Sequence, residues 1–107
     1  MSGTLKKVML LIGIGDVRIY EHGYDELADE DLQARDIIAH SAGAVVVEDY
    51  PDYAKGPCVL VLQKDSMDRP VHVVWGIPRG ESSPAVLVTA YRPDPDRWTK
   101  DFLRRKK

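Results

Sequence analysis

Three apolar runs decide the fold: Cys58-Val-Leu-Val-Leu62, Val71-His-Val-Val-Trp75 and Ala85-Val-Leu-Val-Thr-Ala-Tyr91. Each has strand length and is rich in β-branched or aromatic residues. The gaps between them, Lys64-Asp-Ser-Met-Asp-Arg-Pro70 and Pro78-Arg-Gly-Glu-Ser-Ser-Pro84, are short and hold turn residues. A parallel pair needs a crossover of about a dozen residues or more, so gaps of this length join antiparallel neighbours. The reading is a three-stranded meander. On its middle strand Val71, Val73 and Trp75 point one way, and His72, Val74 and Gly76 the other. Both faces are mostly apolar, so each needs a cover. Helices would cover one; the N-terminal strand, a C-terminal helix or a second copy of the chain would cover the other.

Outward from the meander, Ala44-Val-Val-Val-Glu-Asp-Tyr50 reads as a fourth strand, and Pro51 to Pro57 as a loop set by its prolines and Gly56. Asp29 or a neighbour to about Ser41 reads as a helix with a narrow stripe of Ala28, Leu32, Ile38 and Ala42, Ile37 beside them, its first turn acidic and Gly43 ending it. Asp16 reads as the cap of a shorter helix, Val17 to His22, closed by Gly23, with a polar turn from Tyr24 to Glu30. Lys6 to Gly15 is apolar without a helical period and reads as a strand, with Met1 to Lys7 a loose arm. Beyond the meander, Asp94 as cap and Pro95 at the first position predict a short docked helix carrying Trp98 and Phe102 on one face, then a disordered end at Arg104 to Lys107. The expected class is α+β: N-terminal helices on an antiparallel sheet of about four strands, closed by a short C-terminal helix.

At 107 residues the chain is one domain, 1–107, large enough for a small core. An apolar fraction of 44% argues against disorder. No apolar run nears the roughly 20 residues of a membrane span, and Val8 to Ile12 is too short for a secretory signal. With the single Cys58 allowing no internal disulfide, the expectation is a cytoplasmic protein without membrane contact. Net charge is -2, unevenly spread. Tyr20 to Asp52 holds ten acidic residues against Arg35 alone; Arg92 to Lys107 holds seven basic against three acidic. Two readings stand, a solvated acidic face with a basic tail, or a local footprint for phosphate aimed by the C-terminal segment.

His72, in mid-sheet among valines, would be desolvated and held neutral, fit for general acid–base work or for a structural hydrogen bond. In an antiparallel meander the start of the middle strand and the end of the last share one edge. That brings Arg69, Tyr91 and Arg92 together with His72 one step inside, a cluster able to hold a phosphate and stabilise developing charge. The competing reading pairs Arg69, Arg92 and Arg97 with Glu48, Asp49, Asp94 or Asp96. His22, His40 and His72 share no ligand spacing, so neither metal nor cofactor is expected. Gly13-Ile-Gly15 lacks the third glycine of a dinucleotide loop.

Four blocks carry a resemblance: Glu48-Asp-Tyr-Pro51, Gly56-Pro-Cys-Val-Leu-Val-Leu62, Arg69-Pro-Val-His-Val-Val74 and Thr89-Ala-Tyr-Arg-Pro-Asp-Pro-Asp-Arg-Trp98. In that order, from Glu48 to about Arg105, they resemble a small bacterial family of unknown function. Its members usually carry a histidine about where Ile14 stands here. The resemblance implies helices on an antiparallel sheet and marks His72, Arg69, Tyr91, Arg92 and Trp98 as signature positions. The layout is also similar to that of RelE/ParE-like toxins, several of which cut RNA without a metal. An RNA-cleaving, toxin-like domain is thus one reading, with an antitoxin-like protein as partner; from the shared sheet edge, its catalytic residues would be His72 as acid or base, Arg92 and Arg69 holding the scissile phosphate, and Tyr91 orienting it. The alternative is a non-catalytic interaction module, forming a homodimer through the open sheet face.

Overall fold

A computed structural model describes residues 2–106. The elements run α1 (Gly3–Gly13), β1 (Val17–Arg18), α2 (Glu21–Asp29), α3 (Ala34–Ala39), a 3-10 turn (Ser41–Gly43), β2 (Val45–Tyr50), β3 (Cys58–Lys64), β4 (Pro70–Gly76) and β5 (Ala85–Tyr91). The expected α+β class holds, with one more strand than the four anticipated.

The sheet order is β1-β5-β4-β3-β2. The meander forms as its gap lengths require: β2 to β5 are successively antiparallel, and only β1 runs parallel to its neighbour β5. β4 is central, and its register sets Leu62 and Tyr91 on either side of His72. Alternation then sorts the side chains. Val59 and Val61 of β3 and Val71, Val73 and Trp75 of β4 join Val8 of α1, Leu27 of α2 and Ile37 of α3 in the core. Burying a valine of this kind contributes about 1.5–3 kcal/mol, so these contacts rather than helix propensity hold the short helices. One polar link crosses the layer. Trp75 Nε1 donates to Gln63 Oε1 (2.9 Å), and Gln63 Nε2 donates to the Ile37 carbonyl (2.9 Å), fixing α3 to the sheet.

The N-terminal half departs from expectation. Gly3 to Gly13 is helix, not loose arm and strand. Ser2 caps it by accepting from Leu5 N–H, and Lys, Met and Leu are strong helix formers. Its apolar period is masked because Leu10 is left 68% exposed, and Ile14 just beyond the helix 78% exposed, while Val8 is buried. Val17–Arg18 is strand, because Ala85 N–H donates to the Asp16 carbonyl and draws the chain alongside β5. The polar stretch from Tyr24 lies inside α2, whose Gly23 packs so closely that a Cβ there would meet the Val88 carbonyl at 3.2 Å.

Among the described residues no C-terminal helix forms. Asp94 caps as expected, accepting from the Asp96 N–H, and one turn closes when Arg97 and Trp98 N–H donate to the Asp94 carbonyl. The chain then reverses through Phe102 at φ 62° instead of continuing. Thr99 N–H donates to the Arg104 carbonyl and Lys106 N–H to the Arg97 carbonyl, pairing Trp98 with Arg105. So Arg104 to Lys106 is tied back, not loose; the expectations for Met1 and Lys107 lie outside the described residues. This strap lies across the His72 face and covers it at the β4–β5 end.

Candidate functional site

The site grows from the antiparallel register. His72 and Tyr91 are direct partners on β4 and β5, so their side chains rise from the same face. His72 is fully buried. Its ring meets Trp98 edge-on at 4.4 Å between centroids and Tyr91 at 5.4 Å. The Phe102 carbonyl, 2.8 Å from Nε2, can only accept, so Nε2 carries the proton. Nδ1 is then the acceptor and takes the Tyr91 hydroxyl at 3.3 Å. Burial pushes the His72 pKa down, against the opposing pull of the Phe102 carbonyl and Glu48, so the ring is neutral near pH 7. Burial likewise pushes the Tyr91 phenol up and keeps it a donor.

Tyr91, unlike His72, reaches the surface. It lines a cleft of about 260 Å³ with Arg92, Asp94, Arg97, Trp98 and Arg105. Three of these six residues are arginines. Arg105 stands over the Trp98 ring, 4.8 Å from its centroid, and grips Glu48 with two bonds, Nε to Oε2 at 2.9 Å and Nη2 to Oε1 at 3.0 Å. The Arg105 bonds hold the Glu48 carboxyl below its usual range, and Glu48 in turn holds the guanidinium above its own. Arg97 is the loosest cation, with Asp94 3.8 Å away.

Arg69 and Arg92 do converge, as the shared edge requires, but on an acid that sequence reasoning passed over. Asp65, 7% exposed, receives Arg92 Nη2 at 2.8 Å and Arg69 Nε at 3.1 Å, both on Oδ2. Its other oxygen accepts from the N–H groups of Met67 and Arg69. Burial pushes the carboxyl up, but the Arg69 N–H and the Arg92 guanidinium outweigh it and hold Asp65 far below the carboxylate range. Arg92 also donates to the Pro70 carbonyl at 3.2 Å. Thus Arg92 borders both the Asp65 knot and the cleft, whereas Arg69 belongs to the knot alone. The signal was local: Asp65 begins the β3–β4 turn, where an aspartate that bonds N–H groups ahead of it is common.

The arginine partners anticipated from sequence are therefore met in part. Glu48 takes Arg105 and Asp94 takes Arg97, while Asp65 takes Arg69 and Arg92. Among the described residues no group of three or more His, Cys, Asp or Glu side chains could hold a metal, and no helix is long and apolar enough to cross a membrane. A larger groove of about 560 Å³, between Val17, Ile19, Tyr24 and Ile38, is chiefly apolar, with Arg35 its one charged residue.

Fold and site together define a small α+β domain with helices on one sheet face and an arginine-rimmed, tyrosine-floored cleft at the edge of the other. The chain belongs to the DUF4258 family, a domain of unknown function whose model matches residues 19–92. That span runs from the end of β1 to Arg92, so it holds Asp65, Arg69, His72, Tyr91 and Arg92 and stops short of the strap with Trp98 and Arg105. No curated protein and no solved structure matches the chain.

Proposed function

We propose that this domain binds single-stranded RNA through its backbone phosphate and cleaves it by metal-independent acid–base chemistry in the Tyr91 cleft. The observation that carries the reading is the Tyr91 hydroxyl, backed by the proton-accepting Nδ1 of a desolvated His72 and lodged in a cleft with Arg92, Arg97 and Arg105. A scissile phosphate seated on Arg92 and Arg97 would put the adjacent ribose hydroxyl at Tyr91. As that 2′-oxygen attacks phosphorus, its proton passes to the Tyr91 oxygen, and the phenolic proton passes to His72 Nδ1. The bond to the 5′-oxygen breaks, the leaving oxygen takes a proton from water at the open mouth of the cleft, and the hydroxide so formed is neutralised by the proton returned from His72 through Tyr91. The products are a 2′,3′-cyclic phosphate and a 5′-hydroxyl. His72 acts through Tyr91, since it has no surface of its own to offer substrate. Arg69 supports the cleft through Asp65, and the arginines offset charge on the phosphorane oxygens. On this reading the domain would work as a RelE/ParE-like toxin does, and an antitoxin-like protein would be the fitting partner.

The test is incubation of the purified chain with end-labelled RNA in excess chelator, beside Tyr91→Phe. Cleavage leaving cyclic-phosphate ends, lost in the variant, is expected. Equal survival of RNA with both proteins would overturn the catalytic reading.

A second reading, a non-catalytic interaction or homodimerisation module, draws on the sheet itself. Beyond the strap the outer face keeps Val88 44% exposed, and on the outermost strand β2 Val45 is 50% exposed. Light scattering decides it: a strict monomer across micromolar concentrations speaks against self-association.

A further inference from the structure

Among the described residues, Arg105 is the surface cation held by both an aromatic ring and a two-bond carboxylate pair. One side of its guanidinium lies over Trp98, and two bonds to Glu48 fix its plane from the edge. Trp98 is itself buried, 5% exposed and packed edge-on against the His72 ring. Yet 63% of the Arg105 side chain remains exposed. The result is a planar, delocalised cation with its central carbon over Trp98, two donors bound to Glu48 and most of its side chain in solvent, lining the Tyr91 cleft. A guanidinium used only to bind phosphate would keep its donor edge free. Here two of the five N–H donors, on Nε and Nη2, are committed to Glu48, which takes one bidentate edge and holds the group flat for a stacking contact. Planar guanidinium faces stack on unpaired nucleobases, which duplexes do not present.

We infer that Arg105, clamped between Trp98 and Glu48, is a stacking platform for one nucleobase of single-stranded RNA, beside the phosphate seated at Arg92 and Arg97. This rests on the phosphate-binding reading above and adds to it what the ligand must carry: an exposed base flanking the bound phosphate. Glu48 has a second role, since a carboxylate at the guanidinium edge offsets its charge and leaves the contact governed by stacking more than by attraction to phosphate. The platform is sequence-tolerant, because every base has a π-face, with purines favoured for their larger area.

The probe is a fluorescein-labelled 2′-O-methyl hexa-adenylate, which resists cleavage, beside a ribose-phosphate chain of equal length and charge that lacks its bases. Anisotropy titrations at low ionic strength are run with the full chain and with Arg105→Lys, which keeps the charge and loses the plane. The native protein is expected to bind the base-bearing strand tighter on the order of tenfold. Arg105→Lys is expected to bind both strands alike, at the affinity the native protein shows for the baseless one. A circular dichroism spectrum and melting midpoint near the native values show that the variant is folded. Equal binding of both strands by the native protein overturns the platform and leaves the phosphate site standing. Binding of neither strand overturns both. A base preference that survives Arg105→Lys also overturns the platform, by placing the base contact elsewhere.

Discussion

Tyr91 and His72 face each other across the β4–β5 ladder, and the tyrosine hydroxyl donates to His72 Nδ1 over 3.3 Å. The bond is long for an O–H donor, so it contributes modestly to the fold. Removing the hydroxyl separates chemistry from stability. Tyr91→Phe should lower the rate of RNA cleavage by roughly 10²-fold or more, the scale of a lost proton-transfer group. It should shift unfolding free energy by no more than about 1.5 kcal/mol. Single-turnover cleavage and urea denaturation of the same preparation measure both. A rate within threefold of native would exclude Tyr91 from the reaction.

Asp65 is a buried carboxylate that ties the β3–β4 turn to the chain just after β5. Its carboxylate satisfies two guanidinium groups and two backbone N–H groups with little exposed surface. Asp65→Asn keeps the shape and removes the charge, leaving the half-buried Arg92 without its counter-ion. We expect a loss of about 2–4 kcal/mol, toward the range for breaking a buried pair. Asp94→Asn, whose partner Arg97 is 84% exposed, should change stability by less than about 0.5 kcal/mol. Urea midpoints of the two variants side by side check the contrast; equal effects would mean that the Asp65 knot is no stronger than a surface pair.

The meander was legible because two local signals agreed. Val-rich runs of strand length, broken by gaps too short for a crossover, leave one topology, and its register alone puts His72 beside Tyr91 and brings Arg69 to Arg92. What sequence hid depended on distant contacts. α1 exposes Leu10, and Ile14 follows it into solvent, so its apolar positions carry no period, and only the helix propensity of Lys6 to Leu11 spoke for it. β1 is two residues long and exists because β5 lies alongside. The strap begins with the cap and proline of a helix, yet burial of Trp98 against His72 and the Arg105 pairing outweigh continued helix formation. In the candidate cleft, Tyr91 and Arg92 could be placed from strand position, whereas Arg105 lay in a stretch read as disordered. That the cleft opens onto Tyr91 and not onto His72 followed from the strap, which no local pattern foretold.

The buried imidazole sets a pH dependence of stability. His72 has its pKa lowered by burial, so the unfolded chain, with an ordinary value near 6.5, takes up a proton before the folded one does. Its contribution is whole above about pH 6.5 and is lost as pH falls from there toward the lower folded value. Asp65 and Glu48, whose carboxyls are also held low, add a second loss that starts near pH 4, where unfolded carboxylates protonate. Melting midpoints should therefore decline in two stages on acidification. His72→Gln, which has no group titrating near neutrality, should remove the upper stage and keep the lower. A single stage in the native protein, starting near pH 4, would show that His72 titrates alike in both states.

The strap is held by unequal ties, and they can be told apart. Trp98 and the Nε2 bond to the Phe102 carbonyl lie in the covered interior, whereas the Glu48–Arg105 pair sits in solvent and contributes at most about 1 kcal/mol. Cutting the outer tie should therefore loosen the strap without detaching it. The amides of Thr99 and Lys106, bonded to the Arg104 and Arg97 carbonyls, report this opening directly. In Glu48→Gln their hydrogen exchange should quicken about threefold to fivefold, as an opening free energy lowered by under about 1 kcal/mol requires. The amide of Val73, in the central strand, exchanges only through wider unfolding and should keep its native rate. If Val73 quickens by the same factor, the ion pair stabilises the whole domain and the strap has no opening of its own. If none of the three changes, the two bonds from Arg105 to Glu48 do not hold the strap, and its closure rests on Trp98 and the Phe102 carbonyl alone.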